Sequence, residues 1–152
     1  MRLDEVTVFG GKLSFFIPHD WEQEDEDGDL LYHPPNADSG WFRVSLITVK
    51  SVDGTAAERL KRGFEDKGNV TQNEETGNWI STRQKDSEEA GVKIRIYYWF
   101  VGNVVGPDLM RRAIFSYTVL LDRASDDETK EMLDLLGQIA GLANFNRESG
   151  EP

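Results

Sequence analysis

Apolar residues recur with two different periods along this chain. Residues 92–101 (VKIRIYYWFV) are ten consecutive positions rich in β-branched and aromatic side chains, without Gly or Pro, the composition of a central strand. Residues 113–121 (AIFSYTVLL) form a second such run, reached through GNVVGPDLMRR, whose Gly102, Asn103, Gly106 and Pro107 are turn formers. Together they predict a long antiparallel hairpin. Alternation separates the first strand into two faces. Val92, Ile94, Ile96, Tyr98 and Phe100 are assigned to the core, whereas Lys93, Arg95, Tyr97, Trp99 and Val101 point the other way.

Earlier in the chain, residues 6–9 and 12–17 flank Gly10-Gly11, a pair suited to a hairpin turn at positive φ. Leu13, Phe15 and Ile17 alternate with Lys12 and Ser14, Pro18 ends the strand, and Trp21 is expected to fold back over the core edge. Residues 30–33 read as a short returning strand stopped by Pro34-Pro35, with a polar loop at 36–40. Residues 41–50 (WFRVSLITVK) place Phe42, Val44 and Leu46 on one face and Trp41, Arg43 and Ser45 on the other, continued by Ile47 and Val49. Residues 70–75 and 78–86 are polar strands of the surface or edge type on either side of Gly77, anchored by Trp79.

Helical spacing appears twice. Ala56, Ala57, Leu60 and Phe64 make a stripe over 56–66, with Thr55 and Glu58 as a capping box and Gly68 as the stop. Met132, Leu135, Leu136, Ile139, Leu142 and Ala143 predict a terminal helix of about 18 residues behind a Ser125/Glu128 capping box. Gly137 and Gly141 weaken that helix or let it pack closely on the sheet. Strands joined by hairpins, with helices to cover them, give a single α+β domain, a mainly antiparallel sheet flanked by two helices in an α/β/α sandwich. One domain is expected over 1–152, with 1–5 and 146–152 frayed.

Charge narrows the function classes. With 28 acidic against 17 basic residues the net charge is -11, a field that repels nucleic-acid phosphates and anionic lipid. Neither nucleic acid nor membrane is an expected partner. Six carboxylates fall within the eight residues 22–29 (EQEDEDGD), a run too costly to bury. They predict an exposed strand end and a turn at Gly28-Asp29. Read as a calcium loop from Asp25, the run fails: Leu30 occupies the glycine position and Asn36 that of the distal glutamate. The chain has no cysteine, which removes disulfides, thiolate catalysis and Cys-based zinc sites. No signal-peptide core and no apolar span of membrane length is present, so a cytoplasmic location is expected unless a leader was removed.

Catalytic motifs are not found. His19 and His33 are the only histidines and have no metal-ligand spacing. No serine lies in a Gly-x-Ser-x-Gly setting, and Gly10-Gly11-Lys12 and 102–106 lack phosphate-loop or dinucleotide spacing. No catalytic residue, metal or cofactor is expected. Lys93, Arg95, Tyr97 and Trp99 instead mix cations with large aromatics, the composition of protein interfaces. Trp41, Arg95, Tyr97 and Trp99 are therefore the candidate protein-binding residues, to be set against burial of that face beneath a helix.

The segment 11–21, GKLSFFIPHDW, resembles the opening of small α/β domains of the PsbP/DcrB type: an aromatic and aliphatic strand, then Ile-Pro, two residues and Trp. The order of elements over 6–145 is similar as well. The resemblance implies an antiparallel sheet sandwiched by helices and mostly binding roles. That group includes photosystem II extrinsic proteins, a Ran-binding nuclear import factor and bacterial proteins associated with type VI secretion effectors. No site residue transfers. The combined expectation is a non-enzymatic bacterial protein that binds another protein, as a secretion-associated chaperone, adaptor or immunity protein. The alternatives are a small-ligand binder or enzyme with a site near His19 and His33, and a structural homodimer.

Overall fold

The long predicted hairpin is the spine of the structure, a computed structural model that describes residues 1–35, 40–51 and 56–146. Its strands, β8 (Val92–Gly106) and β9 (Leu109–Leu120), extend through the segment expected to be a turn, leaving only Pro107 and Asp108 between them. Val104 pairs with Met110 and Gly106 with Leu109, with a register shift between them that leaves Val105 unpaired. Around this pair a seven-stranded antiparallel sheet forms in the order β3-β4-β5-β9-β8-β7-β6. Its other members are β3 (Glu22–Glu26), β4 (Asp29–His33), β5 (Trp41–Lys50), β6 (Val70–Gln72) and β7 (Trp79–Glu89).

A smaller sheet has the order β1-β2-β10, from β1 (Leu3–Val8), β2 (Leu13–Pro18) and β10 (Asn144–Phe145). Residues 3–5, expected to fray, pair instead with residues 16–18. The first turn is wider than two residues, with Phe9, Gly10 and Gly11 all at positive φ. Strand β10 has no periodic signal of its own in the sequence; it pairs with Leu13 and Ser14 of β2.

The helices α1 (Ala56–Lys67) and α2 (Asp127–Gly141) lie on opposite faces of the large sheet. Helix α2 and the small sheet cover one face. There Leu13, Phe15, Ile17, Leu136, Ile139 and Phe145 pack on Phe42, Val44, Trp99, Val101, Phe115 and Val119. Phe15 meets Tyr32 and Phe115 edge-on, at centroid distances of 5.7 and 5.6 Å. Buried Asn78 ties this layer to the sheet. Its Nδ2 donates to the carbonyls of Gly141 at 3.1 Å and Ala143 at 2.6 Å, and its Oδ1 accepts from Asn103 Nδ2 at 2.9 Å. Carbonyls at and just beyond the end of α2 are thereby satisfied away from water.

The face assignment of β8 is overturned in part: Ile94 is buried and Phe100 packs against the α1 core as expected, but the opposite face is the better covered one. Trp99 and Val101 are core, with Tyr97 partly buried beside them, whereas Ile96 and Tyr98 lie on the half-open face. The two small residues of α2 show why. A Cβ on Gly137 would sit 3.3 Å from Trp99 Nε1, and one on Gly141 3.2 Å from Ile80 Cδ1, so the helix rests directly on this side of the sheet. The expected Ser125/Glu128 capping box does not form. The N-cap is Asp126 without a side-chain cap bond, and the Thr129 hydroxyl donates to the Arg123 carbonyl at 2.8 Å. Thr55 of the first box, residues 36–39 of the polar loop and residues 147–152 of the tail lie outside the described residues.

Candidate functional site

The uncovered part of the large sheet is the most distinctive surface. Helix α1 is short, and its Leu60 and Phe64 reach only Met110, Val49, Val70, Trp79, Phe100 and Val104 at one end of that face. Gly102 lets it approach: a Cβ there would lie 2.8 Å from Phe64 Cε2 and 2.9 Å from Leu60 Cδ1. Beyond α1 the sheet stays open. A depression of about 500 Å³ is lined by Leu31, Trp41, Arg43, Ser45, Glu89, Ile94, Ile96, Tyr98, Ile114, Ser116 and Thr118. Pairing places these side chains in register, with Trp41 opposite Thr118, Arg43 opposite Ser116, Ser45 opposite Ile114 and Tyr98 opposite Ser116. From Thr118 to Arg112 the open face runs six residues along β9, about 20 Å at strand rise.

Its two sides differ in charge. Strand β3 is exposed along its whole length and turns at Asp27 and Gly28, both at positive φ. All six carboxylates of the acidic run therefore stand on the β3–β4 hairpin. Arg43 reaches back to this hairpin, donating from Nε to Asp29 at 3.0 Å and from Nη1 to Glu26 at 2.8 Å; these bonds raise its pKa further, Glu26 most. On the far side, Arg83 and Lys85 of β7 lie opposite Tyr98 and Ile96.

His33 closes the acidic side. Its ring stacks at a tilt on Trp41, with centroids 4.3 Å apart. Nδ1 lies 2.9 Å from the Pro34 carbonyl and Nε2 lies 2.5 Å from Glu24 Oε2. A carbonyl and a carboxylate are both acceptors, so the ring satisfies both only as the doubly protonated imidazolium. Its pKa is raised accordingly, chiefly by the Pro34 carbonyl and then by Glu24, against the opposing effect of burial. His19 forms an exposed pair with Asp4 of β1 at 2.6 Å and lowers that carboxyl's pKa. Neither histidine lines the depression. No group of three or more His, Cys, Asp or Glu side chains is arranged to hold a metal among the described residues.

The four residues nominated from sequence are thus separated. Trp41 lines the open face. Trp99 is only 8% exposed, beneath Gly137 of α2, and Tyr97 packs against the same core. Arg95, on their face, forms a bidentate pair with Asp86 at 2.6 and 3.1 Å. The covering helix is the reason for this split. Leu31, Arg43, Ser45, Ile96, Tyr98 and Ile114 were missed. The signal for them lay in β9, where Ser116 and Thr118 alternate with the wholly apolar or aromatic Ala113, Phe115, Tyr117 and Val119. A two-residue turn alone would put Trp99 opposite Ser116; the register shift between Val104 and Gly106 moves it opposite Phe115, in the core.

No model of a protein family matches the chain, and no curated protein matches it. Solved structures do. The α+β fold is shared with Mog1, as the resemblance at the Ile-Pro-x-x-Trp segment implied. A protein from Bacteroides thetaiotaomicron superposes with a TM-score of 0.64 at 18% identity, over 99% of this chain and 51% of that one. This chain therefore spans about half the length of that protein. The Saccharomyces cerevisiae Ran-binding protein Mog1p matches with a TM-score of 0.56 at 16% identity, over 97% of both chains. LpqN, involved in cell envelope biogenesis of Mycobacterium tuberculosis, matches with a TM-score of 0.54 at 15% identity, over 95% of this chain and 91% of that one. At these identities the likeness establishes the fold. No helix among the described residues is long and apolar enough to cross a membrane.

Proposed function

We propose that this is a non-enzymatic protein-binding domain, and that the open face of the large sheet is where it docks an apolar segment of another protein carrying Lys or Arg. The observation that carries this reading is the depression itself, with Ile94, Ile96, Ile114, Tyr98 and Trp41 around it and a carboxylate-rich hairpin on one flank. Apolar side chains supply contact area without direction. The acidic hairpin supplies complementarity to a basic partner and speeds its encounter. Mog1p, of similar fold, is a Ran-binding protein by its own description, which supports a protein as the ligand class here. A role as a bacterial chaperone or adaptor in the cytoplasm, holding such a segment of a client, is the form of this function we favour. Immunity to a partner's activity would use the same face.

A photocrosslinker placed at Ile96 or Ser45 in the native cell tests this. Adducts are expected there and not from Glu131 on α2, and Glu24→Lys with Glu26→Lys should abolish them. Adducts from Glu131 alone, or adducts indifferent to charge reversal, would overturn the reading. A self-adduct would mean that a second copy occupies the face and that the homodimer alternative is correct.

A further inference from the structure

We infer that the free edge of β7 is a strand-addition site for an extended segment of another protein in which two acidic residues flank an apolar one. Strand β7 runs to Glu89, but β6 pairs only with Trp79, Ile80 and Ser81. Before β6 the chain comes from α1, on the face of the sheet, through Gly68 and Asn69, both at positive φ. Residues 83–89 therefore have β8 on one side and no strand on the other among the described residues, an edge of about 23 Å at strand rise. The pairing fixes which backbone groups face outward. Ala90 and Gly91, both at positive φ, form a two-residue turn, so the flanking pair Glu89 and Val92 exchanges its hydrogen bonds. Alternation then turns Ser87, Lys85 and Arg83 toward β8 and leaves the N–H and C=O of Glu88, Asp86 and Gln84 at the edge. The Asn73 N–H, donating to the Asn78 carbonyl at 2.9 Å on the β6 side, has the same parity.

Sheet edges are commonly closed to other chains by charge, and β3, at the opposite end of the sheet, is five exposed residues of which four are acidic. The β7 edge is closed only to itself. Residues opposite each other in an antiparallel ladder share a face, so two copies related by a two-fold axis can pair only residues of the same parity. Centring that axis on Gln84, Lys85, Asp86 or Ser87 sets Arg83 on Lys85, Lys85 on Lys85, Asp86 on Asp86 or Asp86 on Glu88. Each register puts like charges directly opposite, which is destabilising. A foreign strand of the right charge meets no such bar. Arg83 and Lys85 are exposed on one face of the edge, two residues apart, and call for two acidic residues spaced alike. A depression of about 370 Å³ straddles the edge between them, with Arg83 on that side and Gln84, Tyr97, Trp99 and Leu133 on the α2 side. The residue between the two acids points to the α2 side, where Tyr97 and Leu133 offer it an apolar contact.

This site does not rest on the proposed docking face. The test is a nuclear magnetic resonance titration of the full chain with acetyl-Thr-Thr-Glu-Leu-Glu-Val-Thr-amide and with its counterpart carrying Lys for both Glu, at matched ionic strength. The acidic peptide should shift the amides of Gln84, Asp86 and Glu88 saturably and more than those of Arg83, Lys85 and Ser87, and should bind about tenfold tighter than the basic one. Arg83→Glu with Lys85→Glu, both at exposed positions, should invert that preference. Gln84→Pro removes one outward N–H and no bond to β8, so it should keep the fold and weaken the acidic peptide about tenfold. No saturable shift at the edge, equal binding of the two peptides, or a preference that survives the double charge reversal would each overturn the assignment. So would shifts confined to Ile96 and Ile114, which would seat the peptide on the open face, or a dimer joined through residues 84–88, which would seat a second copy on the edge. Edge binding as expected while Ile96 crosslinks to nothing would leave this site standing and remove the docking face.

Discussion

Replacing Gly102 by alanine tests the contact that fixes how much of the sheet stays open. The added Cβ would lie 2.8 Å from Phe64 Cε2, 2.9 Å from Leu60 Cδ1 and 3.2 Å from Arg112 Cγ. Carbon atoms in contact prefer about 3.5–4.0 Å, so each neighbour must retreat by a few tenths of an ångström to about 1 Å. Phe64 and Leu60 are 1% and 3% exposed, so their retreat must displace other core atoms. Overpacking of this kind costs about 1–3 kcal/mol, partly offset by the lower unfolded-state entropy of alanine, about 0.5–1 kcal/mol. A net loss of about 1–2 kcal/mol is expected, or about 3–6 °C in Tm for a domain of this size. Gly63 in α1 is the control. It has nothing within 4 Å of its would-be Cβ, so Gly63→Ala should stabilise by about 0.5–1 kcal/mol. Urea denaturation measures both, and the slope should not change. The reasoning also predicts non-additivity, because Leu60→Ala vacates the volume that the new methyl needs. The double variant Gly102→Ala/Leu60→Ala should lose less than the sum of its parts. Wild-type stability for Gly102→Ala, or strict additivity in the double variant, would show that α1 does not rest on this strand.

Trp99→Ala should cost about 3–5 kcal/mol as a buried aromatic truncation, whereas Trp41→Ala, on the half-buried open face, should cost less and reduce crosslinking at Ile96; thermal melts and the adduct assay separate the two. Ile96→Lys should abolish partner capture with a smaller stability loss than Val101→Lys, whose side chain is fully buried, read by the same pair of measurements. His33, with its raised pKa, should titrate above the ordinary 6.5 in a histidine proton resonance experiment, and Glu24→Gln should bring the midpoint down without cancelling the Pro34 contribution. The sign follows from the raised folded value: the stabilisation is fully present below the unfolded pKa of about 6.5 and is lost as pH rises through the folded pKa. The stability gap between wild type and His33→Gln should therefore be wider at pH 5.5 than at pH 8.5, and a gap that widens with pH would refute the imidazolium assignment.

Much of the architecture was legible in the chain because its signals are local. Alternation in 12–17 and 41–50 fixed which residues of β2 and β5 are buried, and both assignments hold in Leu13, Phe15, Ile17, Phe42 and Val44. The carboxylates of 22–27 could only be solvated, and they are; Asp29 is half-buried against Arg43. The helical stripes of α1 and α2 identified Leu60, Phe64, Leu136 and Ile139 as buried. What the sequence could not decide was which face of β8 the long helix covers. Both faces carry large apolar side chains, Ile94, Ile96, Tyr98 and Phe100 on one and Tyr97, Trp99 and Val101 on the other, so burial of either set is locally reasonable. The choice was made by long-range pairing: Trp99 against Phe115 in β9, and the backbone of α2 at Gly137 against the Trp99 indole. The same choice moved the candidate binding surface from Arg95, Tyr97 and Trp99 to the side holding Trp41, Ile96 and Ile114. It also brought Lys67 from the end of α1 over Phe100 and beside Arg112, a meeting of residues 45 positions apart that only the tertiary fold creates.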